Sequence, residues 1–278
     1  MADEYDQFTE AVGAVKQVAA RCGIPILLVG AYARDLLLEE WGADASMRRT
    51  RDVDFGVKIG DWNAFRFLRD SLIATGQFTE AGSNPHKVRY RGMVDVDLVP
   101  FGDIAREDGL LACWPDDFGK EMYVLGFQDA LECAGICPVA PVPMVSMPAF
   151  VGLKILAWED EREGQDKDAA DLAFILKSLP KIGKVLDAVV EWPDDDWSDV
   201  DRRCHRWLGA QLGSVFGSRS SSRLSRVLAR ECDGLGQLRL VRQMRSSFPD
   251  AENARTALEG LRTGLTAVKG GGAASQDN

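Results

Sequence analysis

ILLVGAYARDLLLEEWGADASMRRTRDVDFGV, residues Ile26–Val57, changes its hydrophobic period twice. Ile26 to Val29 is a short apolar run ending at Gly30, the pattern of a buried strand. Ala31 to Trp41 spaces Ala33, Leu36, Leu37 and Trp41 along one helix face, so a helix begins directly after the glycine. Thr50 to Ile59 then alternates, with Asp52 and Asp54 on one face and Val53, Phe55 and Val57 on the other. A helix starting at a glycine turn has first-turn N–H groups able to cradle phosphate. Carboxylates at i and i+2 share a strand face, and hard cations such as Mg²⁺ take carboxylate oxygens together with substrate phosphate. A DxD pair alone also suits a solvated edge strand; the adjoining glycine–helix unit favours a metal–triphosphate site. Arg48, Arg49 and Arg51, just before the pair, either contact phosphate or solvate a loop, and the sequence leaves both open.

Outward from that stretch, 278 residues with 46% hydrophobic and 27% charged content make one large or two small globular domains. No apolar run approaches the roughly 20 residues of a membrane span. The acidic start, MADEYDQFTE, has no signal-peptide apolar region, so a cytoplasmic chain without membrane attachment is the expectation. Only Cys133 and Cys137 of six cysteines are close in sequence, and no histidine pair accompanies them, so reduced thiols rather than a zinc site are expected. His86 and His205 read as ordinary surface or core residues. Residues 201–278 carry 13 basic and 7 acidic side chains, about +6, which leaves about −16 for residues 1–200 of the net −10. The acidic average argues against indiscriminate nucleic-acid binding and leaves a local basic surface open.

Tyr5 to Arg21 predicts an amphipathic helix. Asp61 caps a helix over Trp62 to Ala74, and Phe78 to Glu80 predicts a short strand. His86 to Val99 reads as strand, bent at Gly92. Unbroken, it puts Lys87, Arg89, Arg91, Asp95 and Asp97 on one face and Val88, Tyr90, Val94, Val96 and Leu98 on the other; a turn at Gly92 would break that register. A polar loop to Gly119 and strands near Met122–Val124 and Ala130–Cys133 follow. The prolines between Pro138 and Pro148 suggest a hinge. Beyond it come a helix over Phe150 to Trp158 that contains Lys154, and another over Asp168 to Lys177 with Asp168 and Asp171 on one side. Arg219, Arg223, Arg226 and Arg230 form a basic stripe if Ser220 to Glu231 is helical. That stripe is either a solvated face or a surface for RNA or an acidic partner. The expected fold class is α/β, a mixed sheet flanked by helices followed by a mainly helical part. The domains would be 1–137, 138–269 and a disordered tail, 270–278.

Gly30-Ala31, Asp52-Val53-Asp54 and Val96-Asp97-Leu98-Val99-Pro100-Phe101 together resemble the polymerase-β-type nucleotidyltransferase signature of a glycine turn, an hDxDh strand and a third carboxylate. Lys154-Ile155-Leu156-Ala157-Trp158, Arg162 and Lys167-Asp168-Ala169-Ala170-Asp171-Leu172 are similar to the K…[KR]DxxDL pattern of the AbiEii/AbiGii toxin family of nucleotidyltransferases. The resemblance covers residues 20–180. It implies that Asp52, Asp54 and Asp97 bind Mg²⁺ or Mn²⁺, and that Gly30, Ala31, Arg34 and Lys154 bind the NTP. Asp168 and Asp171 would complete the catalytic set, one of them assisting deprotonation of the acceptor hydroxyl. Two ions about 3.5–4 Å apart would clamp the attacking and leaving oxygens. The implied protein is the toxin of a toxin–antitoxin pair, with an RNA end such as tRNA as acceptor, a protein hydroxyl second, and a cognate antitoxin as partner. Two departures stand out: Ala31 replaces the usual serine, leaving only a backbone N–H there, and the gap from Ala31 to Asp52 is long. The segment Gly30–Leu38 also resembles the GGxVRDLLL segment of tRNA CCA-adding enzymes and poly(A) polymerases, whose base-selecting motifs are not found later in the chain. A small-molecule nucleotidyltransferase and a member that binds nucleotide or a partner without turnover remain open as rival readings.

Overall fold

A computed structural model of the chain describes residues 2–43, 52–115, 121–160, 167–193, 198–233, 238–245 and 247–271. Two compact units emerge: Met1–Glu40 with Asp44–Ser146, and Trp41–Ala43 with Met147–Asn278.

The first unit contains helices α1 (Ala2–Cys22), α2 (Gly30–Glu40), α3 (Trp62–Ala74) and α4 (Phe127–Glu132). Its strands are β1 (Ile26–Val29), β2 (Asp52–Lys58), β3 (Phe78–Glu80), β4 (Lys87–Tyr90), β5 (Val94–Phe101), β6 (Leu110–Ala112), β7 (Glu121–Tyr123), β8 (Gly135–Ile136) and β9 (Pro143–Met144). Seven of them form a mixed sheet in the order β3-β4-β5-β2-β1-β9-β8, and β6 pairs with β7 separately. Alternation in β2 buries Val53, Phe55 and Val57 and leaves Asp52 and Asp54 partly exposed. β5 runs parallel to β2 with Val53 beside Val96 and Phe55 beside Leu98, so the apolar rows of the two strands coincide. Against these strands packs α1, burying Ala11, Val12, Val15, Val18 and Ala19. Each fully buried Val, Leu or Phe side chain contributes about 1.5–3 kcal/mol. A one-residue slip of β2 would turn Asp52 and Asp54 into that core, so burial of one face fixes where the carboxylates project. Asp61 caps α3 by accepting from the Ala64 N–H at 2.8 Å.

Several expectations need correction. Residues 86–99 are not one strand. Arg91 (φ +45°) and Gly92 (φ +72°) turn the chain, and β4 and β5 pair antiparallel with Lys87 opposite Asp97 and Arg89 opposite Asp95. The strand expected at Ala130–Cys133 is instead α4, whose Phe127 packs on Phe101 at a ring separation of 5.5 Å and lies against Gly56. The proline segment 138–148 contains β9, which pairs parallel with β1, so a boundary at 137/138 would cut between two paired strands of the sheet. The division lies at 146/147.

The second unit is helical: α5 (Met147–Asp160), α6 (Lys167–Ser178), α7 (Gly183–Glu191), α8 (Val200–Val215), α9 (Ser218–Cys232), α10 (Arg239–Met244) and α11 (Ala251–Gly271). Pro148 stands in the first turn of α5, where its missing N–H breaks no intrahelical bond. α5 buries Phe150, Val151, Ile155, Leu156 and Trp158, and packs on α6, α8 and α9. Arg203 of α8, 1% exposed, donates to the carbonyls of Val189 at 3.1 Å and Trp192 at 2.7 Å, tying α8 to the end of α7. α8 and α11 meet backbone to backbone, since a Cβ at Gly209 or Gly264 would run into the facing helix. The expected tail began at 270; α11 extends to Gly271, and residues 272–278 lie outside the described residues, as do Arg48, Arg49, Arg51 and Arg162. Among the described residues no helix is long and apolar enough to cross a membrane.

Candidate functional site

The register of the first unit's sheet lays two rows of charge across neighbouring strands. Lys87, Asp97 and Asp54 are successive partners on β4, β5 and β2, and Val29, next to Gly30, continues the row on β1. Arg89, Asp95 and Asp52 form the second row. Paired residues point to the same face, so the pattern that buries Val53 and Val96 turns all these charges the other way. Asp52, Asp54 and Asp97 each offer a carboxylate oxygen within 4.8 Å of the others.

Gly30 joins β1 to α2 with φ +75°, a conformation that strongly favours glycine. A Cβ built there would overlap the Asp54 carboxyl, so glycine lets the first turn of α2 approach the carboxylates. Ala31 is the second residue of α2, so α2 offers backbone N–H groups, but no side-chain hydroxyl, at that position.

Lys87 and Arg89 complete the charge pattern. The Lys87 ammonium lies 2.9 Å from Asp97 Oδ2 and 3.8 Å from Asp95 Oδ2, and Arg89 Nε donates to Asp95 Oδ1 at 2.6 Å. Burial pushes the Asp97 carboxyl up; Lys87 opposes this, and Asp52 and Asp95 add to it. Burial alone would lower the Lys87 ammonium, but Asp97, Asp95 and Asp52 outweigh it and raise it. Asp95 is held below the usual carboxylate range chiefly by its hydrogen bond from Arg89.

The donor set fits a hard divalent cation. It is all carboxylate, which suits Mg²⁺ or Mn²⁺ better than metals that favour thiolate or imidazole. Arg34 does not fit its expected part. Its side chain is 3% exposed and its guanidinium donates to Asp35 at 2.6 and 2.8 Å, so it presents almost no surface to a nucleotide.

In the second unit, Lys154 on α5 sits 2.6 Å from Asp168 Oδ1 and 3.0 Å from Asp171 Oδ2, both on α6. Burial works against its charge, but the two aspartates prevail and raise it. The basic stripe of α9 is partly spent internally. Arg230 reaches Glu159 at 2.5 and 3.0 Å, and Arg223 reaches it at 3.3 Å. Arg239 lies over the Trp158 ring at 4.4 Å, and the two line a cavity of about 210 Å³ with Glu159, Arg230 and Glu231.

No family model matches the chain, and no curated protein matches it. Among solved structures, the chain is similar to the antibiotic-resistance factor ANT(2'')-Ia, with 14% identity and a TM-score of 0.35 over 66% of this chain and 90% of that one.

Proposed function

We propose that this protein is a divalent-cation-dependent nucleotidyltransferase that moves a nucleoside monophosphate from an NTP to an acceptor hydroxyl. One observation carries the reading: three carboxylates converge on neighbouring strands beside a glycine turn that opens a helix. In the proposed reaction the acceptor hydroxyl gives its proton to solvent as its oxygen bonds to the α-phosphorus, the bond from that phosphorus to the bridging oxygen breaks, and pyrophosphate leaves with that oxygen. Asp52, Asp54 and Asp97 would hold the cations, whose charge would stabilise the attacking and leaving oxygens. Gly30 and Ala31 bring backbone N–H groups to the triphosphate. Lys154, Asp168 and Asp171 are included in the proposal on the strength of the sequence pattern alone. Incubating the protein with Mg²⁺, an NTP radiolabelled at the α-phosphate and candidate acceptors tests the reading. Asp54→Ala is expected to reduce label transfer at least about 100-fold while keeping the fold, the scale of losing a principal electrostatic contributor. Unchanged transfer would sink the assignment.

The finer proposal is that the acceptor is an RNA end, such as that of tRNA, and that the protein acts in the cytoplasm as a toxin neutralised by an antitoxin. What supports it is the Lys154 to Leu172 sequence pattern and the positive balance of residues 201–278. A small-molecule acceptor is the second reading, favoured by the commitment of Arg223 and Arg230 to Glu159, which removes cationic surface from the stripe. Label appearing on tRNA rather than on a panel of hydroxylated small molecules decides for RNA.

A further inference from the structure

We propose that Lys87 is a built-in competitor for the first cation, so that the carboxylates take a divalent ion together with a polyphosphate rather than ahead of it. This rests on the metal-dependent reading above and deepens it by assigning a positioning residue.

The two rows of charge differ in a way that singles out Lys87. Arg89 donates to Asp95 from the opposite position on the hairpin at 2.6 Å, and Asp95 is not one of the three converging carboxylates. Lys87, in the corresponding position, instead meets Asp97, one of the three converging carboxylates, at 2.9 Å. An ammonium there supplies Asp97 Oδ2 with the positive charge a metal would otherwise bring. A bare ion entering the cluster must displace it or sit beside it, and both weaken binding. An ion arriving on a polyphosphate brings its own anionic oxygens. Lysine is a compact charge with three donors on a flexible stem, so it can leave Asp97 for a phosphate oxygen without leaving the site. With Lys87 at 24% exposed, that movement needs no opening of the core. Lys87 thereby makes the ion and the phosphates help each other bind, and each must raise the other's affinity by the same factor.

The test measures Mn²⁺ binding to the full chain by calorimetry and by the resonance signal of unbound Mn²⁺, with and without a non-hydrolysable NTP analogue. Lys87→Met is expected to bind Mn²⁺ alone about tenfold more tightly than the natural protein and to lose most of the mutual enhancement with the analogue. Lys87→Arg, which keeps the charge, should behave like the natural protein, and Lys87→Gln repeats the test should Lys87→Met fold poorly. Equal or weaker Mn²⁺ binding by the uncharged variants overturns the inference. Asp54→Asn separates the two levels. If it abolishes Mn²⁺ binding while Lys87→Met changes nothing, only the role of Lys87 falls. If it leaves binding intact, or if Mn²⁺ does not bind, the metal reading falls with it.

Discussion

On the sheet, Asp52, Asp54 and Asp97 gather within 4.8 Å, with Lys87 beside one of them. On the helices, Lys154 sits between Asp168 and Asp171 at 2.6 and 3.0 Å. The ingredients match, but the burial does not. The sheet cluster brings three carboxylates together, and Asp97 keeps 22% of its side chain exposed. In the helical cluster two carboxylates flank one ammonium, and Asp171 keeps 8%. The sheet cluster is the more open to solvent, and the helical cluster ties α5 to α6.

Removing the lysine from each cluster gives the largest contrast. Lys154→Met removes the ammonium that Asp168 and Asp171 both contact and is expected to lower stability by about 3 kcal/mol in urea denaturation. Lys87→Met, at a more exposed site, should change it by less than about 1 kcal/mol. Equal losses would break the comparison. Next in size is Gly30→Ala, which forces a Cβ onto Asp54 at a left-handed backbone position. A loss of about 1–2 kcal/mol is expected, together with weaker Mn²⁺ binding by calorimetry; a stability loss with unaltered Mn²⁺ affinity would show that the carboxylates do not depend on this turn.

Acid tests the two units by a smaller effect. Each has one buried histidine: His86 packs against Trp62 and Phe65, and His205 Nε2 lies 2.9 Å from the Leu176 carbonyl oxygen. Burial lowers both below the ordinary 6.5, so the unfolded chain takes up these protons first. Their contribution is full above pH 6.5 and is lost as pH falls through the lowered folded values, at most about 1.4 kcal/mol per pH unit for each. His86→Leu and His205→Leu should each flatten the decline between about pH 7 and about pH 5 in denaturant melts. The smallest expected change comes from Arg89→Ala, whose pair with Asp95 is substantially exposed. The same melts should hardly move, and a clear shift would make that pair structural.

Much of the first unit was legible because its signals are local. β1, α3 and β3 follow from period and from the Asp61 cap, and alternation set Asp52 beside Asp54 and Asp95 beside Asp97, while only the family resemblance singled out Asp97. The hairpin was misread for a definite reason. Lys87 and Asp97, like Arg89 and Asp95, stand equally far from Gly92, so their parity is the same whether the strand continues or folds back. The shared face was therefore legible and the contact between Lys87 and Asp97 was not. α4 has six residues, fewer than two turns, too few to set a period. Arg34 looked like a nucleotide ligand because its burial depends on the packing of α2 and not on its neighbours in sequence. The arginine stripe looked free because Glu159 lies 64 and 71 residues from Arg223 and Arg230.

The two charged rows also differ in what may be exchanged within them. Arg89 and Asp95 satisfy each other across the hairpin, so swapping the two residues, or replacing both by an apolar pair, preserves a closed contact. Swapping Lys87 and Asp97 would preserve a contact too, but it would remove one of three converging carboxylates. In descendants of this chain, positions 89 and 95 should therefore drift as a coupled pair, whereas position 97 should remain aspartate whatever happens at 87. Correlated substitution would thus mark the pair that only holds the hairpin, and its absence the pair with a second obligation.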